Sequence, residues 1–250
     1  MYCAMIGDLV NSRTLSEADR QEVQIRLKSA LQEVDVKWRP SIAARFIITL
    51  GDEFQGLLHA DGPCVEIAEH IRNRLYPQQV RFGIGYGDIH TEINPDMALG
   101  ADGPAYHLAR SGLEELKSSG NRESDHLVRI RTQSPDERLL DLVCDDLNHL
   151  KSNWTDKQRA IIRAIESSDL PQKVLAEQMG LNPSTVTRHL QAARYVHYRR
   201  CLEGLGTYLV NTYGGRSADM PSDDASAGKA SQHTVQPSVE PISDRERNRT

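Results

Sequence analysis

Two aspartates, Asp8 and Asp52, stand where carboxylates can do chemistry. Asp8 follows the short apolar run from Tyr2 to Ile6 and Gly7, and Asp52 lies in the link Gly51-Asp52-Glu53 between the apolar runs 44–50 and 54–60. If the strands that carry them are neighbours, the two carboxylates meet at one sheet edge, where like charges a few ångströms apart raise each other's pKa. A divalent cation resolves that conflict, and Mg²⁺ takes one or two carboxylates together with water and substrate phosphates. The segment Leu9, Val10, Asn11, Ser12 and Arg13 leads from Asp8 towards a helix, where backbone N–H groups can cradle phosphates and Arg13 can add a charge-assisted contact. The competing use of both aspartates is turn chemistry, which favours aspartate for its own reasons.

A second constellation lies between Gln172 and Leu190 and has the spacing of a helix-turn-helix. Ala176 is small where two helices cross, Gly180 suits a left-handed turn, Met179 and Leu181 flank it, and Val186 and Leu190 anchor the next helix. That helix opens with Asn182 as cap and Pro183 in its first turn. Its outward positions are Ser184, Thr185, Thr187, Arg188 and Gln191, polar groups of the kind that reach base edges in the major groove. A protein-docking or purely structural three-helix module is the alternative.

Charge separates these two constellations. The whole chain of 250 residues carries 30 basic and 35 acidic side chains, a net −5, which argues against indiscriminate nucleic-acid binding. Between Lys151 and Arg200, however, 9 basic residues face 4 acidic ones, a local +5 that leaves −10 elsewhere. From Pro183 to Arg200 there are four arginines and no acid, which suits phosphate contacts. Cys3, Cys64, Cys144 and Cys201 show no CxxC or CxxH spacing, so neither a zinc site nor a redox pair is expected. No stretch approaches the length of a membrane span, and Asp8 interrupts the place where a signal peptide keeps its apolar core. A cytoplasmic protein without membrane association is expected.

The elements that must position these residues follow from periodicity. A first strand ends at Gly7-Asp8; Ser16 caps a helix with Val23, Leu27, Ala30, Leu31 and Val34 on its inner face. Two strands flank Gly51-Asp52-Glu53 as a hairpin, and a second helix with Cys64, Ile67, Ala68, Ile71 and Leu75 inside stops before Pro77. The segment from Gln79 to Thr91 is the fourth strand, with Gly83, Gly85 and Gly87 on one face, a bare surface for either a ligand or a covering helix. The order βαββαβ is that of a ferredoxin-like or palm α+β domain, with strand 1 antiparallel to strand 3 and helices covering one face. A third helix runs from Pro104 to before Gly120, and a further strand lies near Val128. The expected organisation is a palm-like domain over 1–133, a connector helix over 134–153, an all-α helix-turn-helix domain over 154–213, and a disordered tail over 214–250. Tyr195, Tyr198, Leu202, Leu205 and Leu209 continue as a helix beyond the reader, a face suited to pairing with a symmetry mate in a homodimer.

The segments Ile6-Gly7-Asp8-Leu9-Val10-Asn11-Ser12-Arg13, Thr49-Leu50-Gly51-Asp52-Glu53-Phe54-Gln55 and Gly100-Ala101-Asp102-Gly103-Pro104-Ala105-Tyr106, running into Ala109-Arg110, resemble the SatD family of bacterial proteins. The resemblance covers nearly the whole ordered chain, because that family also ends in a helix-turn-helix. More distantly, the same motifs resemble class III nucleotidyl cyclases and the diguanylate cyclase GGDEF domain. That likeness implies metal-binding roles for Asp8 and Asp52, a triphosphate-binding loop at Leu9 to Arg13, and a transition-state role for Arg110. It also implies departures, with Tyr106 where cyclases place a ribose-orienting asparagine and Ile48 where they place a purine-reading lysine or glutamate. Beside a front domain that is only a dimerisation platform, two readings follow. One is a DNA-binding transcription regulator whose cyclase-like domain binds a nucleoside triphosphate, a divalent metal or both. The other is a divergent Mg²⁺-dependent nucleotidyl cyclase or nucleotidyltransferase with catalytic Asp8, Asp52 and Arg110 and an accessory helix-turn-helix.

Overall fold

Alternating residues of the first strand point into two different cores, and that alternation organises the molecule. In the computed structural model, which describes residues 1–118, 126–168 and 170–215, strand β1 (Tyr2–Leu9) lies between β3 (Glu53–His59) and β4 (Val80–Gly87). With β2 (Ile42–Leu50) and β5 (Val128–Arg131) they form a five-stranded sheet of order β2-β3-β1-β4-β5, in which only the β4–β5 pair is parallel. The palm order βαββαβ is present, and β1 runs antiparallel to β3.

Cys3, Met5 and Leu9 belong to the core under α1 (Glu17–Lys37) and α2 (Cys64–Leu75). Ser16 accepts a hydrogen bond from the Asp19 amide at the start of α1, and Val23, Leu27, Ala30, Leu31 and Val34 are all buried. Ala4 and Ile6 face the other way, into a smaller core with Ala105, Ala109 and Leu113 of α3 (Pro104–Ser118). Helices therefore cover both faces of the sheet, one more than the ferredoxin-like pattern requires, and the reason is the glycine row on β4. A methyl group on Gly83 would lie 1.9 Å from the Ala109 carbonyl oxygen and one on Gly85 2.2 Å from that of Ala105, so only bare backbone lets α3 descend. Of the two uses open to that row, the covering helix is the one observed.

Beyond β5 the chain is helical: α4 (Glu137–Ser152), α5 (Asp156–Glu166), α6 (Gln172–Gln178), α7 (Pro183–Ala192) and α8 (Tyr195–Leu209). Ile161, Ala176 and Val186 form the small core of α5, α6 and α7, with Met179, Leu181 and Leu190 packed against it. Gly180 adopts φ 64°, the left-handed conformation expected of the turn. The apolar face of α8 has a different role from the one anticipated. Tyr198, Leu202, Leu205 and Leu209 are buried in the same core as α2 and α4, so the surface offered for a symmetry mate is used within the chain. All described residues fall within one compact unit, Met1–Ala218. The expected tail lies outside the described residues except for Gly214 and Gly215, as does the expected end of the third helix at Gly120.

Candidate functional site

Asp8 ends β1 on the face beneath α3, and the ladder sets it opposite Glu53 on β3 and Arg81 on β4. Asp52 occupies the turn before β3, one position out of that register. Gly51 supplies the positive φ of 57° that the tight turn needs, and the Gln24 side chain donates to its carbonyl. The Leu9 amide donates to the Asp52 carbonyl at 3.2 Å, and the Ser12 hydroxyl donates to the Asp52 carboxylate. The two aspartates thus share one edge of the sheet, close enough for Asp52 to act on the charge of Asp8.

Each acid beneath α3 already holds a cation from that helix. Arg110 Nη1 lies 2.6 Å from Glu53 Oε2, while Lys117 Nζ lies 2.9 Å from Asp8 Oδ1 and 3.5 Å from Glu53 Oε2. Arg110 and Lys117 are seven residues apart, two helical turns, and so project from the same side of α3. Burial pushes the Asp8 carboxyl up, Asp52 adds to this, and Lys117 opposes it without cancelling it. Burial acts on Glu53 in the same sense, but Arg110 and Lys117 together hold its carboxyl below the ordinary range. The hydrogen bond to Glu53 in turn raises Arg110.

This donor set does not suit a divalent cation as it is arranged. Mg²⁺ needs carboxylate oxygens free to face it, and no group of three or more His, Cys, Asp or Glu side chains converges on a common point among the described residues. Asp8 and Glu53 are neutralised by Lys117 and Arg110, and Asp52 is engaged by Ser12.

The loop from Leu9 to Arg13 is partly committed as well. The Leu9 and Val10 amides donate to the carbonyls of Asp52 and Gln79, and the Val10 carbonyl accepts from Gln78 at 2.6 Å. Asn11 takes a left-handed φ of 55° and opens a 3₁₀ turn at Ser12–Thr14. Ser12 is buried, whereas Arg13 is exposed. Tyr106, at the position compared with a ribose-orienting asparagine, is buried in the core under α3, and its hydroxyl is enclosed without a hydrogen-bond partner among the described residues. Ile48 packs against the larger core.

On α7, Ser184, Thr187, Arg188 and Gln191 are exposed and Thr185 is half-buried, while Val186 points inward. Thr187 accepts a hydrogen bond from Gln172 at the start of α6 at 3.0 Å and donates to the Pro183 carbonyl, which fixes α7 against α6. Arg188 has no ion-pair or hydrogen-bond partner among the described residues. Trp154 supports the unit from below: its indole N–H donates to the Ala193 carbonyl at 2.8 Å and its ring meets Tyr198 edge-on at 4.9 Å.

Glu53 and Lys117 were not singled out from sequence, although signals for both were present. Strand alternation places residue 53 on the face of residues 55 and 57, and helical spacing places Lys117 on the side of Arg110.

The chain is similar to several solved structures. It is 15% identical to a bacterial light-regulated adenylyl cyclase, covering 52% of this chain and 74% of that one at a TM-score of 0.38. It is 15% identical to a guanylate cyclase domain from Catenaria anguillulae in complex with GTP, covering 45% and 71% at a TM-score of 0.34. A regulator of polyketide synthase expression from Bifidobacterium adolescentis is 14% identical and covers 86% of each chain, at a TM-score of 0.25. These are loose superpositions, and the chemistry rests on the side chains described above. No curated protein matches the chain significantly in sequence. The model of the SatD family matches residues 2–204, four-fifths of the chain, and the protein belongs to that family.

Proposed function

We propose that the protein is a DNA-binding regulator that reads an operator through α7, with its cyclase-like front as the candidate site for a nucleotide signal. The observation that carries the reading is Arg188. It stands exposed, with no ion-pair or hydrogen-bond partner among the described residues, on a helix whose neighbouring outward positions are Ser184, Thr187 and Gln191, whose inner side is held by Val186, and which the Thr187–Gln172 bond ties to α6. A guanidinium so placed is a fork donor for the O6 and N7 of guanine. Arg194 and Arg200, both exposed, provide for phosphates, whereas Arg199 is paired with Glu203 at 2.9 Å.

A nucleotide at the front site would meet Ser12, Arg13 and Arg110, and it would have to bind the DNA-competent arrangement and its alternative with different affinities in order to regulate. The regulator is favoured over the enzyme because Asp8 and Glu53 are ion-paired and Tyr106, at the position of the ribose-orienting group, is enclosed and cannot position a ribose hydroxyl for attack. Fluorescence anisotropy with DNA from upstream of the protein's own gene, with and without ATP or GTP, tests both parts. Binding lost on Arg188→Ala supports the reader, and binding indifferent to nucleotide would remove the sensor and leave the reader standing.

A further inference from the structure

We propose that Lys117 serves as the built-in cation of the front site, so that its ammonium occupies the Asp8 carboxylate a divalent metal would need and the site is metal-independent. Its position supports this. The ammonium bridges Asp8 at 2.9 Å and Glu53 at 3.5 Å, the two carboxylates that the β1–β3 register sets face to face. Arg110 adds a second positive charge at Glu53 Oε2. Asp8 and Glu53 against Lys117 and Arg110 sum to zero, so the two acids beneath α3 are balanced by that helix. A divalent ion entering there would meet two cations and would first have to displace an ammonium already bonded to both acids. Like charges within a few ångströms weaken such binding steeply in a partly buried setting.

The arrangement is built rather than incidental. Both acids are nearly buried, and α3 reaches them only because Gly83 and Gly85 let it lie directly on β4. Lys117 sits near the end of α3, two turns beyond Arg110, so one rigid helix delivers both cations. Asp52, held by Ser12, remains outside this balanced group.

The test is Mn²⁺ binding to the full-length chain, followed by electron paramagnetic resonance, with Mn²⁺ standing in for Mg²⁺. The wild type is expected to show no Mn²⁺ site that depends on Asp8. Lys117→Met is expected to gain one, tighter than any wild-type binding by about tenfold or more, as removal of one like charge beside the ion allows. The gained site is expected to vanish in the double variant Lys117→Met/Asp8→Asn, and Lys117→Arg, which keeps the charge, is expected to gain nothing. Lys117→Gln repeats the test with a polar side chain, and circular dichroism confirms folding of each variant. A wild-type Mn²⁺ site abolished by Asp8→Asn overturns the proposal, as does a folded Lys117→Met or Lys117→Gln without any gain. DNA binding through α7 is independent of either result, so failure here is distinguishable from failure of the reader.

Discussion

Glu69 of α2 is the electrostatic hub that joins the front of the molecule to its helical half, and replacing it by glutamine should cost more than any surface change. Its Oε1 lies 2.6 Å from Arg72 Nη1; its Oε2 is bonded to Lys151 of α4 and accepts from the Tyr198 hydroxyl of α8 at 2.5 Å. All of these groups are buried or nearly so. Burial weighs against the Glu69 charge, yet two cations and the tyrosine lower its carboxyl from 4.5 to about 2. At Lys151 burial prevails over the acids Glu69 and Glu166, with Arg72 as a repelling neighbour, and its ammonium is lowered. Glu69→Gln keeps the shape but leaves Lys151 and Arg72 without their counter-charge, a change that typically costs about 3–5 kcal/mol. For a chain of this size that converts to a fall in Tm of roughly 6–20 °C, measurable by circular dichroism at pH 7. The carboxyl is depressed in the folded state, so its contribution is complete above the ordinary carboxylate range and is lost as pH falls through the folded value. The gap between wild type and Glu69→Gln should therefore narrow between pH 4.5 and about 2. A loss below about 1 kcal/mol, the size of an exposed pair, would refute the account of the hub, as would a gap that does not depend on pH in that window.

Two further outcomes follow from packing. Gly85→Val is expected to lift α3 from the sheet, because even a methyl group there would lie 2.2 Å from the Ala105 carbonyl and 2.4 Å from the Ala109 amide; chemical denaturation should show a loss of about 3 kcal/mol or more, and an unchanged midpoint would contradict the close approach. Tyr106→Phe removes a hydroxyl enclosed without a partner, so stability should stay equal or rise by about 1 kcal/mol, whereas a clear loss would mean that the hydroxyl has a partner.

Much of the frame was legible because periodicity reports burial directly. The inner positions of α1 and α2, the glycine row and the Gly180 turn all follow from local pattern and turn chemistry, and the β1–β3 pairing follows from the βαββαβ order. The candidate site was half legible. Asp8 is conspicuous at the end of an apolar run, but the residue opposite it depends on register, and the two-residue turn at Gly51 and Asp52 makes Glu53 its partner. Lys117 was hidden for a different reason: a lysine late in a helix looks like a solvated charge until the helix is docked. The apolar face of α8 was also visible, but pattern alone does not say whether such a face packs within the chain or on a second copy. The core it shares with α2 and α4 decides that.

The most direct test of the central reading is the affinity of the purified chain for DNA upstream of its own gene, measured against unrelated DNA of the same length at fixed salt. Wild type should discriminate between the two. Arg188→Ala should lose about 1–3 kcal/mol of that discrimination, a roughly 5- to 150-fold weakening on the specific DNA, with little change in melting temperature because Arg188 is exposed and has no partner among the described residues. Equal affinity of wild type for both DNAs, or an Arg188→Ala chain that discriminates as well as wild type, would contradict the assignment of α7 as the reader.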